Sequence, residues 1–199
     1  MMKVLTVHDR ERHADLFEQM FRGRAEVFHD RLQWPVTVRN GLEVDYYDEA
    51  CEPSYLLDLD DEGHLHGSLR LLPTTSTTMI RREFLHLFEE HVDFVDPHIW
   101  ECTKFCVHAG DSTTSTRLLI GLHRLCEQCG IKRIVGLYEL PMERVYARIG
   151  WNPRRLATAK SGADTLGVGI WTADASSLSR MEKNLARRRY GNINQSPLF

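Results

Sequence analysis

The stretch "HIWECTKFCVHAGDSTTSTRLLIGLHRLCEQCGIKRIVGLYEL", residues 98–140, decides the fold. Its first part, through Val107, is an apolar run of the length and kind that forms a buried strand. Ser112–Gly130 then takes the helical apolar period, with a Ser/Thr-rich start and a closing glycine suited to a helix end. "IKRIVGLYEL" is a second buried strand. Strand, helix and strand in this order predict a β-α-β unit. Glu101 stands inside the first strand, and Lys104 follows three residues later. Burying a charge alone costs several kcal/mol, so each needs a partner or a ligand.

The same problem recurs upstream. Met2 to Val7 reads as a short strand, and Arg10 to Leu32 as a long helix that breaks near Gly23. Leu16, Phe17, Met20, Phe21, Val27, Phe28 and Leu32 recur at steps of three and four, and Arg24 falls inside their stripe with Arg31 close by. Residues 35–54 are rich in Asn, Gly, Asp and Pro and read mostly as loop. That loop supplies Glu43, Asp45 and Asp48 as acidic partners for Arg24. Residues 54–74 read as a hairpin, with Arg70 inside an apolar strand, and residues 76–92 as a short helix. Arginines, a lysine and carboxylates thus occupy core positions on several elements, near Phe28, Trp34 and Phe84. That pattern predicts a charged pocket with aromatic walls.

Downstream, "PMERVYARIGW" (141–151) reads as a helix with proline at its start and glycine at its end. "LGVGIWTAD" (166–174) reads as a strand and Ala175–Tyr190 as a terminal helix. No repeat, low-complexity block or linker interrupts the chain. The expectation is one α/β domain over residues 1–199, a three-layer αβα sandwich on a mixed sheet.

Bulk properties narrow the function classes. The chain has 199 residues, 42% hydrophobic and 27% charged, as a soluble globular protein does. A net charge of −3 gives no case for nucleic acid. Basic residues gather late, at Arg154, Arg155 and Lys160 and again at Lys183 and Arg187 to Arg189. They read either as a solvated helical face or as a dock for an acidic partner. No apolar run reaches the roughly 18 residues of a membrane span, and no signal peptide opens the chain, so the expected location is cytoplasmic. Five cysteines, with one CxxC inside a helix pattern, suggest reduced core thiols. Ten histidines show no metal-binding spacing.

Arg24, Phe28, Trp34, Asp45, Asp48, Arg70, Phe84 and Glu101 together resemble the signature of the LuxI-type acyl-homoserine-lactone synthases. The pieces "RAEVFHDRLQW", "EVDYYD", "GSLRLLPT" and "IWECTKFCV" match in order and spacing, and the resemblance continues through "PMERVYARIGW". One position departs: Lys104 stands where the family's strand usually carries arginine, keeping the charge but losing the bidentate fork.

The resemblance implies a fold like the GCN5-type N-acetyltransferases and an enzyme of bacterial quorum sensing. It implies that the amine of S-adenosylmethionine (SAM) attacks an acyl thioester on an acyl carrier protein or coenzyme A. Lactone closure then expels methylthioadenosine, with SAM a substrate and no metal or cofactor needed. Glu101 is the implied base, acting through a water, and Arg24, Asp45, Asp48 and Arg70 complete the catalytic set by holding an N-terminal lid. Phe28, Trp34, Phe84, Thr103, Lys104, Gly136, Tyr138 and Met142 form the implied substrate-binding set, with Gly136 opening room beside Tyr138. Arg154, Arg155 and Lys160 are the implied carrier dock, and the expected state is a monomer.

Plainer readings stand beside these. Trp34 could cover a core edge, Asp45 could cap a loop, and Glu101 could pair with Lys104 or Arg70. Rival functions are a GCN5-type N-acyltransferase acting on a small amine and a non-catalytic acyl-carrier-binding protein. Against the first, "VHAGDSTTSTRLL" lacks the paired glycines that such enzymes use to grip pyrophosphate.

Overall fold

A computed structural model describes residues 1–193, with side chains through Arg188; the side chain of Arg189 lies outside the described residues. The strands are β1 (Met2–Thr6), β2 (Val38–Arg39), β3 (Leu42–Glu43), β4 (Ser54–Leu59), β5 (Leu65–Pro73), β6 (Ile99–Val107), β7 (Arg133–Glu139), β8 (Arg154–Ser161) and β9 (Asp164–Thr172). The helices are α1 (Ala14–Arg24), α2 (Tyr46–Glu49), α3 (Thr114–Cys129), α4 (Met142–Ile149) and α5 (Ala175–Ile193). Among the described residues, one seven-stranded sheet runs β1-β4-β5-β6-β7-β9-β8, and β2 and β3 form a small ribbon. β6 and β7 pair in parallel, joined through α3, and the other neighbours pair antiparallel. The sheet is therefore mixed.

Alternation along β4 builds the three layers. Tyr55, Leu57 and Leu59 face α1 and bury Leu16, Phe17, Met20 and Phe21. Leu56 faces the other way and, with Leu69 and Leu71, packs against Leu118, Leu119 and Leu122 of α3. α4 and α5 complete that second layer through Ile149 and Met181. Gly130, at φ +70°, caps α3 in the left-handed conformation expected of a closing glycine.

Two features of β6 position the site. Its pairing with β7 lasts for Ile99↔Arg133, Trp100↔Ile134 and Glu101↔Val135, after which the strands part. Its pairing with β5 gains a residue between Arg70↔Thr103 and Ser68↔Cys106. The extra residue is a bulge around Lys104, whose φ of +51° is unusual for a side chain with a Cβ.

Two expectations are refined, the helix break near Gly23 and the loop over residues 35–54, and two are corrected. The long helix ends at Arg24 and continues as wider turns over Ala25–Arg31, closed by a bond from Leu32 N to Val27 O at 2.9 Å. Residues 76–92 are mostly irregular, with one wide turn (Ile80–Phe84) and one tight turn (Leu85–Leu87). Their periodic apolar residues, Ile80, Phe88 and Val92, reach the core without a helix to carry them. Residues 35–54, read as mostly loop, contain the β2–β3 ribbon and α2. Arg154, Arg155 and Lys160 lie not on a helix but exposed on β8, an edge strand that buries only Ala157 and Ala159. So few apolar positions leave little strand signature.

Candidate active site

The register of β4, β5 and β6 sets Tyr55, Arg70 and Thr103 in one row across the α1-facing side. Glu101 lies two residues back on β6 and therefore on the same face. By alternation Lys104 should point away, but the bulge re-aims it, and its Nζ lies 2.8 Å from Glu43 and 3.3 Å from Asp45.

Arg24 enters from the end of α1. It is 1% exposed and fully paired. Its Nε donates to Glu43 at 2.6 Å, and its two Nη atoms grip Asp48 at 3.0 and 2.8 Å. Arg70 mirrors it. Its Nη atoms hold Asp45 at 2.5 and 3.0 Å, Nη1 lies 2.9 Å from Asp48, and Nε donates to Thr103 Oγ1 at 3.0 Å. Tyr55 OH donates to Asp48 at 2.9 Å. Three cations and three carboxylates thus interlock, which is how buried charge is tolerated.

Local sequence shapes the acidic side. Asp45 is the N-cap of α2 and accepts from Tyr47 N at 2.9 Å, while Asp45 N donates to Asp48 at 3.0 Å. This reciprocal cap fixes two carboxylates one helical turn apart, at the helix end where negative charge is favoured. Asp45 is therefore both the cap of the plainer reading and a partner of Arg70. Burial would raise the Asp48 carboxyl, but Arg24 and Arg70 hold it well below the usual carboxylate range. Burial alone would weaken Arg24 as a cation, and Asp48 and Glu43 reverse that, holding its pKa above the ordinary arginine value.

Phe28 and Trp34 stack with centroids 5.2 Å apart and planes 13° from parallel. Lys104 Nζ sits 5.3 Å from the Phe28 centroid. Trp34 is 42% exposed, with its ring laid over buried Phe28.

Glu101 is set apart from this network. It is fully buried and has no ion-pair partner among the described residues, contrary to its plainer reading. Its carboxylate accepts instead from Met79 N at 2.8 Å and Ile80 N at 2.7 Å. Burial pushes its pKa up to about 7, against the pull of those two backbone N–H groups.

Other expected site residues lie elsewhere. Phe84 is half-buried beside the cluster of Ile80 and Phe88. Gly136 and Tyr138 face α3 and α4, on the opposite side of the sheet from Arg70. The room expected beside Gly136 is taken: a Cβ there would lie 3.3 Å from the Trp171 ring. Met142 is exposed at the start of α4, and Arg154, Arg155 and Lys160 lie on the β8 edge. Sequence reasoning left Tyr55 and the backbone donors of Met79 and Ile80 unassigned, and it kept Glu43 outside the core set. The three acids within "EVDYYD" were the available signal for Glu43; a strand tyrosine and a backbone N–H give none.

Among the described residues no group of three or more His, Cys, Asp or Glu is arranged to hold a metal ion. No described helix is long and apolar enough to cross a membrane. At the start of α3, Asp111 already accepts from Thr113 N at 2.8 Å, and Arg117 is held by Asp58 and Asp111 at 2.6 and 2.9 Å. Asp111 thus takes the N–H of the residue that precedes the helix.

The mixed sheet, whose central parallel strands part after Glu101, is a fold also found in solved N-acyltransferases. An acyl-CoA N-acyltransferase from Pseudomonas aeruginosa shares the fold, with a TM-score of 0.58 at 15% identity over 85% of this chain and 98% of its own. The chain belongs to the autoinducer synthase family, whose model matches residues 8–180. An acyl-homoserine-lactone synthase of Rhizobium etli is 46% identical over 193 residues, covering 94% of this chain and 91% of its own. The CoA-dependent acyl-homoserine lactone synthase BjaI, solved with SAM and isopentyl-CoA, superposes with a TM-score of 0.84. It is 25% identical, over 94% of this chain and 89% of its own.

Proposed function

We propose that the chain is an N-acyl-L-homoserine lactone synthase, acting as one domain on SAM and an acyl thioester of a carrier protein or coenzyme A. The observation that carries this is Glu101: a carboxylate shut away from water, anchored by two backbone N–H groups, tuned to about 7, where β6 and β7 part. A base poised near the working pH is what the reaction needs, because the SAM amine is mostly protonated at neutral pH.

Glu101 takes a proton from the ammonium, through a water. The freed nitrogen attacks the thioester carbon, the C–S bond breaks, and the thiolate leaves and picks up a proton. The methionyl carboxylate then attacks the carbon beside the sulfonium. The C–S electron pair goes to sulfur, neutral methylthioadenosine departs, and the lactone closes. This second step needs positioning more than acid–base help.

Phe28 and Trp34 offer aromatic faces to the sulfonium. Arg24, Glu43, Asp45, Asp48, Arg70 and Lys104 hold the N-terminal segment over the substrate. The chemistry uses SAM as a substrate and needs no metal or redox cofactor, and it suits a monomer in the cytoplasm. Arg144 and Arg155 border a surface cleft of about 450 Å³ with Glu143 and Asn152. With Arg154 and Lys160 they form the dock for an acidic carrier.

The shared fold keeps an ordinary N-acyltransferase acting on a small amine as the second reading. Mass spectrometry of organic extract from cells expressing the chain tests the proposal. An N-acylhomoserine lactone ion is expected; its absence, with an acetylated amine in its place, would establish the second reading.

A further inference from the structure

The Glu101 carboxylate accepts from Met79 N and Ile80 N, and both donors sit at the head of the wide turn Ile80–Phe84. No sheet ladder restrains that turn, which lies in the irregular segment between β5 and β6. Ile80 is held by its burial beside Phe88 and Val135. One buried side chain leaves a turn free to tilt about it, and a tilt lengthens or bends both N–H bonds together.

A second point of hold comes from α2. Tyr47 is 2% exposed, and its hydroxyl donates to Glu83 Oε1, further along the same turn, at 3.0 Å. A buried phenol hydroxyl needs a partner, and Glu83 supplies it. Beside this bond Arg82 lies over the Tyr46 ring, 4.0 Å from its centroid. Arg70 lies 5.2 Å from the Tyr47 centroid and reaches Met79 Sδ at 3.9 Å. α2 itself is rigidly placed, because Asp45 and Asp48 that cap it are the carboxylates gripped by Arg70 and Arg24. A chain of contacts thus runs from the charged network through Tyr47 and Glu83 to the two N–H groups at Glu101.

We propose that Tyr47 and Glu83 are positioning residues for the reaction: their bond holds the Met79–Ile80 turn against Glu101 and keeps that carboxylate ready to act as a base. The link to rate rests on the synthase reading above. The sign follows from the donors. An N–H bond favours the carboxylate over the acid, so a loosened turn raises the pH at which Glu101 gives up its proton. The other groups that face Glu101 are Arg70 from β5, the Thr78 hydroxyl ahead of the turn and Tyr47 from α2, with Cys102 adjoining on β6. Tyr47→Phe leaves every one of these charges in place.

The test follows the Glu101 carboxyl by carbon NMR in ligand-free protein labelled at its glutamate carboxyls, the signal assigned by its loss in Glu101→Gln. Alongside it, methylthioadenosine release is measured against pH with SAM and acyl thioester saturating. Tyr47→Phe keeps the ring and loses only the bond; it is expected to raise both midpoints by about 0.5. The rate should then fall about threefold below the wild-type midpoint and recover fully at about pH 9, as a loss of folded protein would not. Glu83→Ala should match Tyr47→Phe, and because Glu83 is exposed it carries the test if Tyr47→Phe does not fold. Glu83→Gln, whose amide oxygen still accepts from Tyr47, should keep the wild-type midpoint. Folded Tyr47→Phe or Glu83→Ala with an unmoved Glu101 titration overturns the proposal. So does Glu83→Gln moving as far as Glu83→Ala, which would make the effect one of charge. The NMR titration needs no substrate, so it decides the positioning role by itself, whereas wild-type protein that releases no methylthioadenosine at any pH would refute the synthase reading.

Discussion

The two faces of β6 solve opposite problems with the same alternation. On the α1 side the sheet buries Arg70 and Glu101 together with Arg24, Glu43 and Asp48, with Thr103, Asp45 and Lys104 half-buried among them. On the α3 and α4 side, β7, α4 and β9 bring together the rings of Tyr138, Tyr146 and Trp171. The first face is held by charge, where geometry must be satisfied atom by atom. The second is held by ring packing over glycines, where volume decides. Glu101 belongs to the first face, at the last residue pair of β6 with β7.

The largest expected effect strikes the charged face. Arg24→Ala leaves Glu43 and Asp48 buried without their main partner, a loss on the order of 3–5 kcal/mol. Asp48→Ala should cost similarly, because it strips Arg24, Arg70 and Tyr55 together. The double variant should cost clearly less than the sum, since residues in one network are non-additive. Urea midpoints read this directly, and strict additivity would mean that the face is not one network. Asp45 is the less informative partner, at 4.0 Å from Arg24 against 2.8 Å for Asp48.

The smallest effect lies outside both faces. Reversing Arg154 and Arg155 to glutamate should leave the unfolding midpoint in place, because exposed charges contribute about 0–1 kcal/mol. The KM for a carrier-borne donor should rise severalfold at low salt, and the difference should shrink as salt screens the surface. A KM that ignores both the reversal and the salt would remove the dock from β8.

What was legible in the sequence follows from these physics. Long apolar runs gave β6, β7 and α3, because a strand buried on both faces and an amphipathic helix each leave a strong pattern. β8 was missed because an edge strand that buries two alanines has almost no pattern. Arg24, Arg70 and Glu101 stood out as charges in apolar company, and their acids were near at hand in "EVDYYD". Their pairing was not legible. Which carboxylate each arginine grips depends on the α2 cap, which Asp45 only hinted at, and on the bulge at Lys104, which has no sequence signature. Gly136 misled for a related reason: a missing side chain looks like space until the Trp171 ring is placed over it.

The central claim is that Glu101, where β6 and β7 part, accepts the proton that frees the amine. Its raised pKa sets the sign: below about 7 the carboxyl holds its proton and cannot act as base, and above it the base is free. The direct measurement is the pH dependence of amide formation, in wild type and in Glu101→Gln, with SAM and acyl thioester saturating. Wild type should rise through an inflection near 7, and Glu101→Gln should lose about 10²–10⁴ in rate together with that inflection. A folded Glu101→Gln variant with near-normal rate, or with the same inflection, would assign the titration to the substrate amine and contradict the claim.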